Sequence, residues 1–415
     1  MPVVALFGTL DTKGAEYEYF AALVRAHGAE VVLVDVGVLD QPSVHADVPR
    51  ADVAAAAGFD VDELARAGDR GRAIAAMAAG AAETARCLYR DGRLDAIAGL
   101  GGSGGSSIVT NAMRALPVGV PKLMVSTLAS GDTRPYVGAV DVTMTYSVVD
   151  IAGLNRLSRR IIANAAGAIA GMAAIEPTTA ETAEEGKPLV GATMFGVTTP
   201  CVTRARERLQ DLGFEVLVFH ATGTGGQSLE ALVRSGFITA TLDATTTELA
   251  DELVGGVLSA GPDRLEAAGA VGIPQVVSLG ALDMVNFGPI DTVPERFRQR
   301  NLYVHNPMVT LMRTTPEECA ELGRTIARKL NAARGPMTVF VPLRGISAIA
   351  IEGQPFHDPA ADDALFSALR EHLDSTVDLR ELDLDVNDPS FADAMSDRLH
   401  ELYGSWVLGR EEIRA

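Results

Sequence analysis

One local pattern recurs along the whole chain: a short apolar run, a Gly- or Thr-rich turn, then a stretch with helical spacing. Apolar runs with little polar alternation belong to strands buried on both faces. Joining such strands through helices forces a parallel sheet with helices on both sides. In the first half the runs are Pro2 to Phe7, Glu30 to Val36, Leu94 to Leu100 and Pro121 to Thr127, with the more alternating Val140 to Ser147 as an edge strand. Helices are predicted over Ala15 to His27, over Asp69 to Tyr89, from Ile108 onward and over Ile151 to Ile175. Residues 40–60, with Pro42, Pro49 and several Asp, read as an irregular insertion or flap. Glu176 to Pro188 has the composition of a linker, which divides the chain into domains of residues 1–182 and 183–415. The pattern then restarts at Leu189 to Val197. It continues through Glu215 to Phe219, Ile238 to Leu242, Gln275 to Leu279, Leu302 to Val304 and Met337 to Val341. The expected fold is α/β: two doubly wound, Rossmann-like domains with mainly parallel sheets and right-handed crossovers. The absence of a short repeat period excludes a solenoid.

A chain of 415 residues is long enough for two such cores. Its formal charge of -19 argues against nucleic acid or an anionic membrane surface as partner. A small anionic ligand stays compatible with that charge, because a local cluster of backbone N–H groups outweighs distant carboxylates. Cys87, Cys201 and Cys319 match no metal spacing and read as reduced thiols. Met1-Pro2-Val3 leads straight into a strand, and no segment offers the roughly 18–20 apolar residues of a membrane span. A soluble, cytoplasmic protein is expected, forming a homodimer or higher homo-oligomer through its Ala-rich helices.

Two turns in the first half carry phosphate chemistry. Gly99-Leu100-Gly101-Gly102-Ser103-Gly104-Gly105-Ser106 follows an apolar run and opens a helix, so Gly101, Gly102, Ser103, Gly104, Gly105 and Ser106 can present N–H groups to an anion. The spacing fits a dinucleotide fingerprint, but no acid follows about 20 residues on, which favours a mononucleotide. Gly8-Thr9-Leu10-Asp11-Thr12-Lys13 ends the first run: Thr9 and Thr12 supply hydroxyls, Lys13 a cation and Asp11 a ligand for Mg²⁺. Asp35 stands where a ribose is often held, and Ser126, Thr127 and Gly131 complete the rim. Helix capping by Asp11 or Thr12 is the competing reading.

In the second half His220, Asp243, Asp283 and His305 fall at predicted strand ends, where they can serve as an acid–base or divalent-metal cluster, or merely cap helices. Thr222, Gly223, Gly225 and Gly226 form a second possible anion cradle, and Asn306 is a further candidate for substrate binding. Cys201, in an apparent first helical turn, reads as a buried structural thiol.

Together, Gly8-Thr-Leu-Asp-Thr-Lys13, Gly99-Leu-Gly-Gly-Ser-Gly-Gly-Ser106, Phe219-His-Ala-Thr-Gly-Thr-Gly-Gly226 and Val304-His-Asn-Pro307 resemble uncharacterised protein family 0261, also called tobamovirus-resistance-protein-like, across essentially the whole chain. A plant member binds ATP with Mg²⁺ in its N-terminal region and inhibits tobamovirus RNA replication by binding the viral replication protein. It continues into a barrel domain beyond the part that resembles this chain. The resemblance implies that ATP occupies the site built from the first two motifs; the antiviral role depends on a partner surface and is not carried over. The expectation is an ATP-binding protein, an enzyme of small-molecule metabolism using or regulated by Mg-ATP, with substrate at the interdomain cleft. The alternatives are a nucleotide-dependent interaction module and a metal-dependent hydrolase or lyase acting through the His/Asp cluster.

Overall fold

The computed structural model describes residues 1–175 and 186–414, so residues 176–185 of the expected linker, with the 182/183 boundary, lie outside the described residues. The chain forms two compact units, Met1–Thr179 and Ala180–Ala415.

The first unit runs β1 (Val3–Gly8), α1 (Leu10–Ala26), β2 (Glu30–Asp35), α2 (Arg50–Ala56), α3 (Val61–Ala67), α4 (Arg70–Arg90), β3 (Ala96–Gly101), α5 (Ser103–Arg114), β4 (Lys122–Ser126), α6 (Arg134–Val137), β5 (Thr143–Tyr146) and α7 (Arg156–Ala173). Its five strands lie in the order β2-β1-β3-β4-β5, every neighbouring pair parallel. Successive side chains of a strand point to opposite faces. Val4 and Leu6 of β1 therefore pack with Phe20, Ile162 and Ile169 of α1 and α7, while Ala5 and Phe7 pack with Val53, Met77 and Ile108 of α2, α4 and α5. The strand order reverses between β1 and β3. Their following loops leave toward opposite faces, and a crevice opens between them.

Several boundaries differ from expectation. Helix α1 begins at Leu10 rather than Ala15, taking the Thr9–Lys13 turn into its first turn, with a break at Lys13 (φ -132°, ψ 24°). Helix α5 begins at Ser103, so the glycine loop is itself the first helical turn. The supposed irregular insertion contains α2, whose Val53 carbonyl lies so close to Gly80 of α4 that a Cβ there would come within 2.0 Å of it. Helix α7 starts at Arg156, stopped on its N-terminal side by a reciprocal cap between Asn155 and Ser158.

The second unit is built on β6 (Leu189–Met194), β7 (Glu215–His220), β8 (Ala240–Thr245), β9 (Gln275–Gly280), β13 (Met337–Pro342) and β14 (Asp378–Leu382), all parallel in the order β14-β13-β9-β8-β6-β7. Helices α8 (Thr199–Asp211), α9 (Thr224–Arg234), α10 (Glu248–Val254), α11 (Ala267–Val271), α12 (Pro316–Asn331), α13 (Pro359–His372) and α14 (Pro389–Arg414) complete the layers. A separate antiparallel sheet, β10 (Met284–Phe287), β12 (Val309–Arg313) and β11 (Leu302–Asn306), was not expected. Leu302 to Val304 thus belongs to this small sheet and not to the parallel one. Met284 and Leu311 of the small sheet pack with Phe195, Val197, Ala281 and Phe356. Apolar side chains consequently cover the carboxyl ends of β6 and β9, at the edge where an open α/β sheet would otherwise take a ligand.

Candidate functional site

The crevice at the first unit's switch point is a cleft of ≈ 570 Å³. Its wall brings together the two turns singled out in the sequence, with Thr9, Asp11, Thr12 and Lys13 from one and Gly102, Ser103, Gly104 and Gly105 from the other. Val36 to Leu39, after β2, and Leu64, Ala65, Ala73 and Ile74, from α3 and α4, supply an apolar wall. Asp69 and Arg70, the N-cap and first residue of α4, also line it.

The glycines are there for clearance. A Cβ at Gly8 would lie 2.0 Å from the Tyr17 ring, and one at Gly99 would lie 2.8 Å from the Phe7 carbonyl oxygen. Tyr17 is buried between the two central strands. Its hydroxyl accepts the Leu100 N–H at 2.6 Å and lies 2.6 Å from the Phe7 carbonyl oxygen. Burial raises its pKa well above the usual phenol value. One side chain thereby ties β3 to β1 at the point where their loops part.

Helix α5 presents the best anion-binding feature of the cleft. Its N-cap is Gly102, which has no side chain to accept the N–H groups of the first turn, and no side-chain cap is made. Ser106 N–H returns to the Gly102 carbonyl at 2.8 Å, leaving Ser103, Gly104 and Gly105 as the open N–H groups of a 12-residue helix. Helix α1 is different. Its Leu10 N–H is taken by the Asp35 carboxylate (Oδ1, 3.2 Å), which also accepts from Gly37 N–H at 2.9 Å. The protein fills the α1 terminus with its own anion and leaves the α5 terminus open.

Two carboxylates stand beside the cleft with an oxygen unused. Asp11 Oδ2 accepts the Leu39 N–H at 2.9 Å while its Oδ1 is buried without a partner, and Asp35 Oδ2 is likewise buried and unpartnered. Burial raises the pKa of Asp35, against the opposing pull of its two N–H donors. Lys13 Nζ donates to the Ile151 carbonyl, and Thr12 Oγ1 donates to Thr9 Oγ1 at 3.0 Å. Gly8, Asp35, Gly101, Ser106, Ser126, Thr127 and Gly131 stand outside the cleft wall. Ser106 and Ser126 are fully buried behind it, their hydroxyls 2.7 Å apart, and Gly131 lies in an exposed turn. Arg70 escaped the sequence reading. The available signal was a cation in a first helical turn, the end that disfavours positive charge.

In the second unit the four expected His and Asp residues have different surroundings, and no group of three or more His, Cys, Asp and Glu among the described residues is placed to hold a metal ion. His220 is exposed at the end of edge strand β7, against Phe195. His305 is exposed on β11, and Asn306 closes the β11–β12 turn by accepting the Met308 N–H at 2.9 Å. Asp243 is buried in an ion cluster. Arg264, fully buried, pairs with Asp243, with Glu248 at 2.7 Å and with Glu230 at 3.2 Å. Asp283 is fully buried and accepts from Ser347 Oγ at 2.8 Å; burial pushes its pKa up to about 6, with Arg313 pulling it back.

The expected second cradle is filled from within. Glu248 Oε1 accepts the N–H groups of Gly223 at 2.8 Å and Gly226 at 3.0 Å. Gly225 is needed because a Cβ would sit 1.9 Å from the His220 carbonyl oxygen, and Thr222 Oγ1 donates to that same oxygen at 3.2 Å. Cys201 is buried, as expected, and burial pushes its thiol up to about 12. No helix among the described residues is long and apolar enough to cross a membrane.

Comparison with known proteins finds relatives of this chain along most of its length. Residues 2–178 match the uncharacterised protein family (UPF0261) N-terminal domain, and residues 187–403 match the C-terminal domain of the same family. A UPF0261 protein of Clostridium tetani (strain Massachusetts / E88) is 52% identical over 397 residues, covering 95% of this chain and 98% of its own. One of Rhizobium meliloti (strain 1021) is 51% identical over 396 residues, covering 95% and 97%. The ToMV resistance protein Tm-1(GCR237) of Solanum lycopersicum is 42% identical over 421 residues, covering 97% of this chain and 56% of that protein.

Proposed function

The chain belongs to the uncharacterised protein family UPF0261, and from its cleft we propose that the N-terminal unit binds a nucleoside polyphosphate, ATP with Mg²⁺, in the service of small-molecule metabolism. The observation that carries this reading is the first turn of α5: three N–H groups, uncapped because Gly102 is the N-cap, opening on a cleft. An anion there is favoured by the helix dipole and by the N–H groups. The wall of Leu64, Ala65, Ala73 and Ile74 suits the flat apolar faces of a purine. Asp11 fits a divalent cation, since its buried Oδ1 has no partner. Bound there, Mg²⁺ would neutralise phosphate charge while the α5 turn orients the phosphates.

A second reading rests on a different observation. Among the described residues, Asp11 and Asp69 are the carboxylates of the cleft wall, no histidine lines it, and no group of His, Cys, Asp and Glu is placed to hold a metal ion. That arrangement favours a nucleotide-dependent interaction module over a catalyst of group transfer. The test is thermal denaturation with and without Mg-ATP, followed by ATP turnover across a metabolite panel. A raised melting temperature is expected; no shift at millimolar Mg-ATP overturns the site. Turnover that appears only with a metabolite supports the enzyme, and binding without turnover across the panel supports the module. Three free cysteines suit a cytoplasmic setting, and light scattering tests the proposed homo-oligomer.

A further inference from the structure

Two residues of the cleft wall carry positive charge, Lys13 and Arg70, and their situations differ. Lys13 is held by the Ile151 carbonyl. Arg70 is exposed, and among the described residues it has neither an ion-pair nor a hydrogen-bond partner. It is the first residue of α4, directly after N-cap Asp69, whose carboxylate accepts the Arg72 N–H at 3.0 Å. A guanidinium at that end opposes the helix dipole, so the position brings no local stabilisation to α4. Across the cleft stands the open turn of α5: a Cβ at Gly104 would come within 3.8 Å of Arg70 Nη2. An unpaired, forked cation thus faces the uncapped N-terminus of a second helix, and both attract the same kind of ligand.

Resting on the nucleotide reading above, we propose that Arg70 binds the terminal phosphates of that nucleotide and makes the site selective for polyphosphate over monophosphate forms. The α5 turn holds one phosphate through neutral N–H groups. Each further phosphate adds negative charge, which calls for a cation that the α5 turn lacks. Arg70 supplies it from the other wall, at the start of α4 just after the Gly68–Asp69 link from α3, where Gly68 adopts φ +65°.

Calorimetric titration of the full chain with ATP, ADP, AMP and inorganic triphosphate, each with Mg²⁺ at fixed ionic strength, tests this. Wild type is expected to bind ATP more tightly than AMP. Arg70→Ala should weaken ATP and triphosphate roughly 10- to 100-fold, the range for a hydrogen bond to a charged group, and leave AMP within about twofold. Arg70→Lys should recover part of the loss. Equal loss for all three nucleotides, or no loss for ATP, overturns the assignment to Arg70 while the nucleotide site stands. Failure of wild type to bind any of the three overturns the site and Arg70 together. Unliganded melting curves show whether each variant is folded, and Arg70→Gln carries the same comparison if Arg70→Ala is not.

Discussion

At the scale of single residues, the charges and hydroxyls buried in this protein hold strands and loops in place. Tyr17→Phe would leave the Leu100 N–H without its acceptor between two packed strands, an expected loss of about 1–3 kcal/mol, read from urea denaturation as a lower midpoint with an unchanged slope. Glu248→Ala would leave Arg264 short of one partner and strand the Gly223 and Gly226 N–H groups; removing one member of a buried ion cluster costs about 3–5 kcal/mol. Asp251 makes a prediction about pH. It accepts N–H groups from Leu258 and Asn286 and the Asn286 side-chain amide, yet burial pushes its pKa up to about 7. Between about pH 4 and 7 the folded protein keeps this proton while the unfolded chain has released it, so Asp251 makes stability fall as pH rises through that window and level off above it. Denaturation of wild type and Asp251→Asn across this range should show a shallower fall in the variant. Asn286 turns its Nδ2 toward Asp251, so a flip of its amide is needed to bring Oδ1, now buried without a partner, to accept from the new amide.

At the scale of elements, the open end of α5 separates stability from binding. Gly102 has extended backbone (φ -83°, ψ -158°), and a Cβ there would meet Thr127 Oγ1 at an ordinary 3.7 Å. Gly102→Asp can therefore adopt the same backbone and cap the helix with its own carboxylate. The expected result is unchanged or slightly raised stability, by a few tenths of a kcal/mol, with Mg-ATP binding lost. Thermal melts with and without nucleotide read both effects at once. A folded Gly102→Asp variant that still responds to Mg-ATP would contradict the role given to α5. In the second unit, Thr222 to Gly226 looks as open in sequence as Gly101 to Gly105. Glu248, on another element, decides the difference: it occupies the first and nothing of the kind caps the second. A one-dimensional reading sees the glycines of both loops but not the carboxylate that fills one of them.

At the scale of the molecule, each unit has apolar clusters of its own among the described residues. The two around β1 and β3 draw only on residues between Val4 and Ala173, and the other four only on residues from Leu189 onward. Residues 1–175 expressed alone are expected to fold cooperatively and to keep the Mg-ATP response of the full chain, as circular dichroism and thermal shift would show. Fold class was legible in the sequence because buried parallel strands must be apolar along their length and must be joined by helices, and Leu94 to Leu100 and Gln275 to Leu279 satisfy that locally. The pairing of Gly8–Lys13 with Gly102–Gly105 was legible too, since both turns leave the carboxyl ends of strands, but their adjacency follows from β1 and β3 being neighbours at the point where strand order reverses. Sheet order, the self-capping of α1 by Asp35, the apolar cover of β10 and β12 over the second unit, and the place of Arg70 opposite α5 were decided only in three dimensions. The physical reason is range. Apolar periodicity and turn chemistry act within a few residues and are written in the sequence. A carboxylate filling an N-terminus 25 residues away, or a guanidinium facing one, depends on which elements the packed core sets side by side.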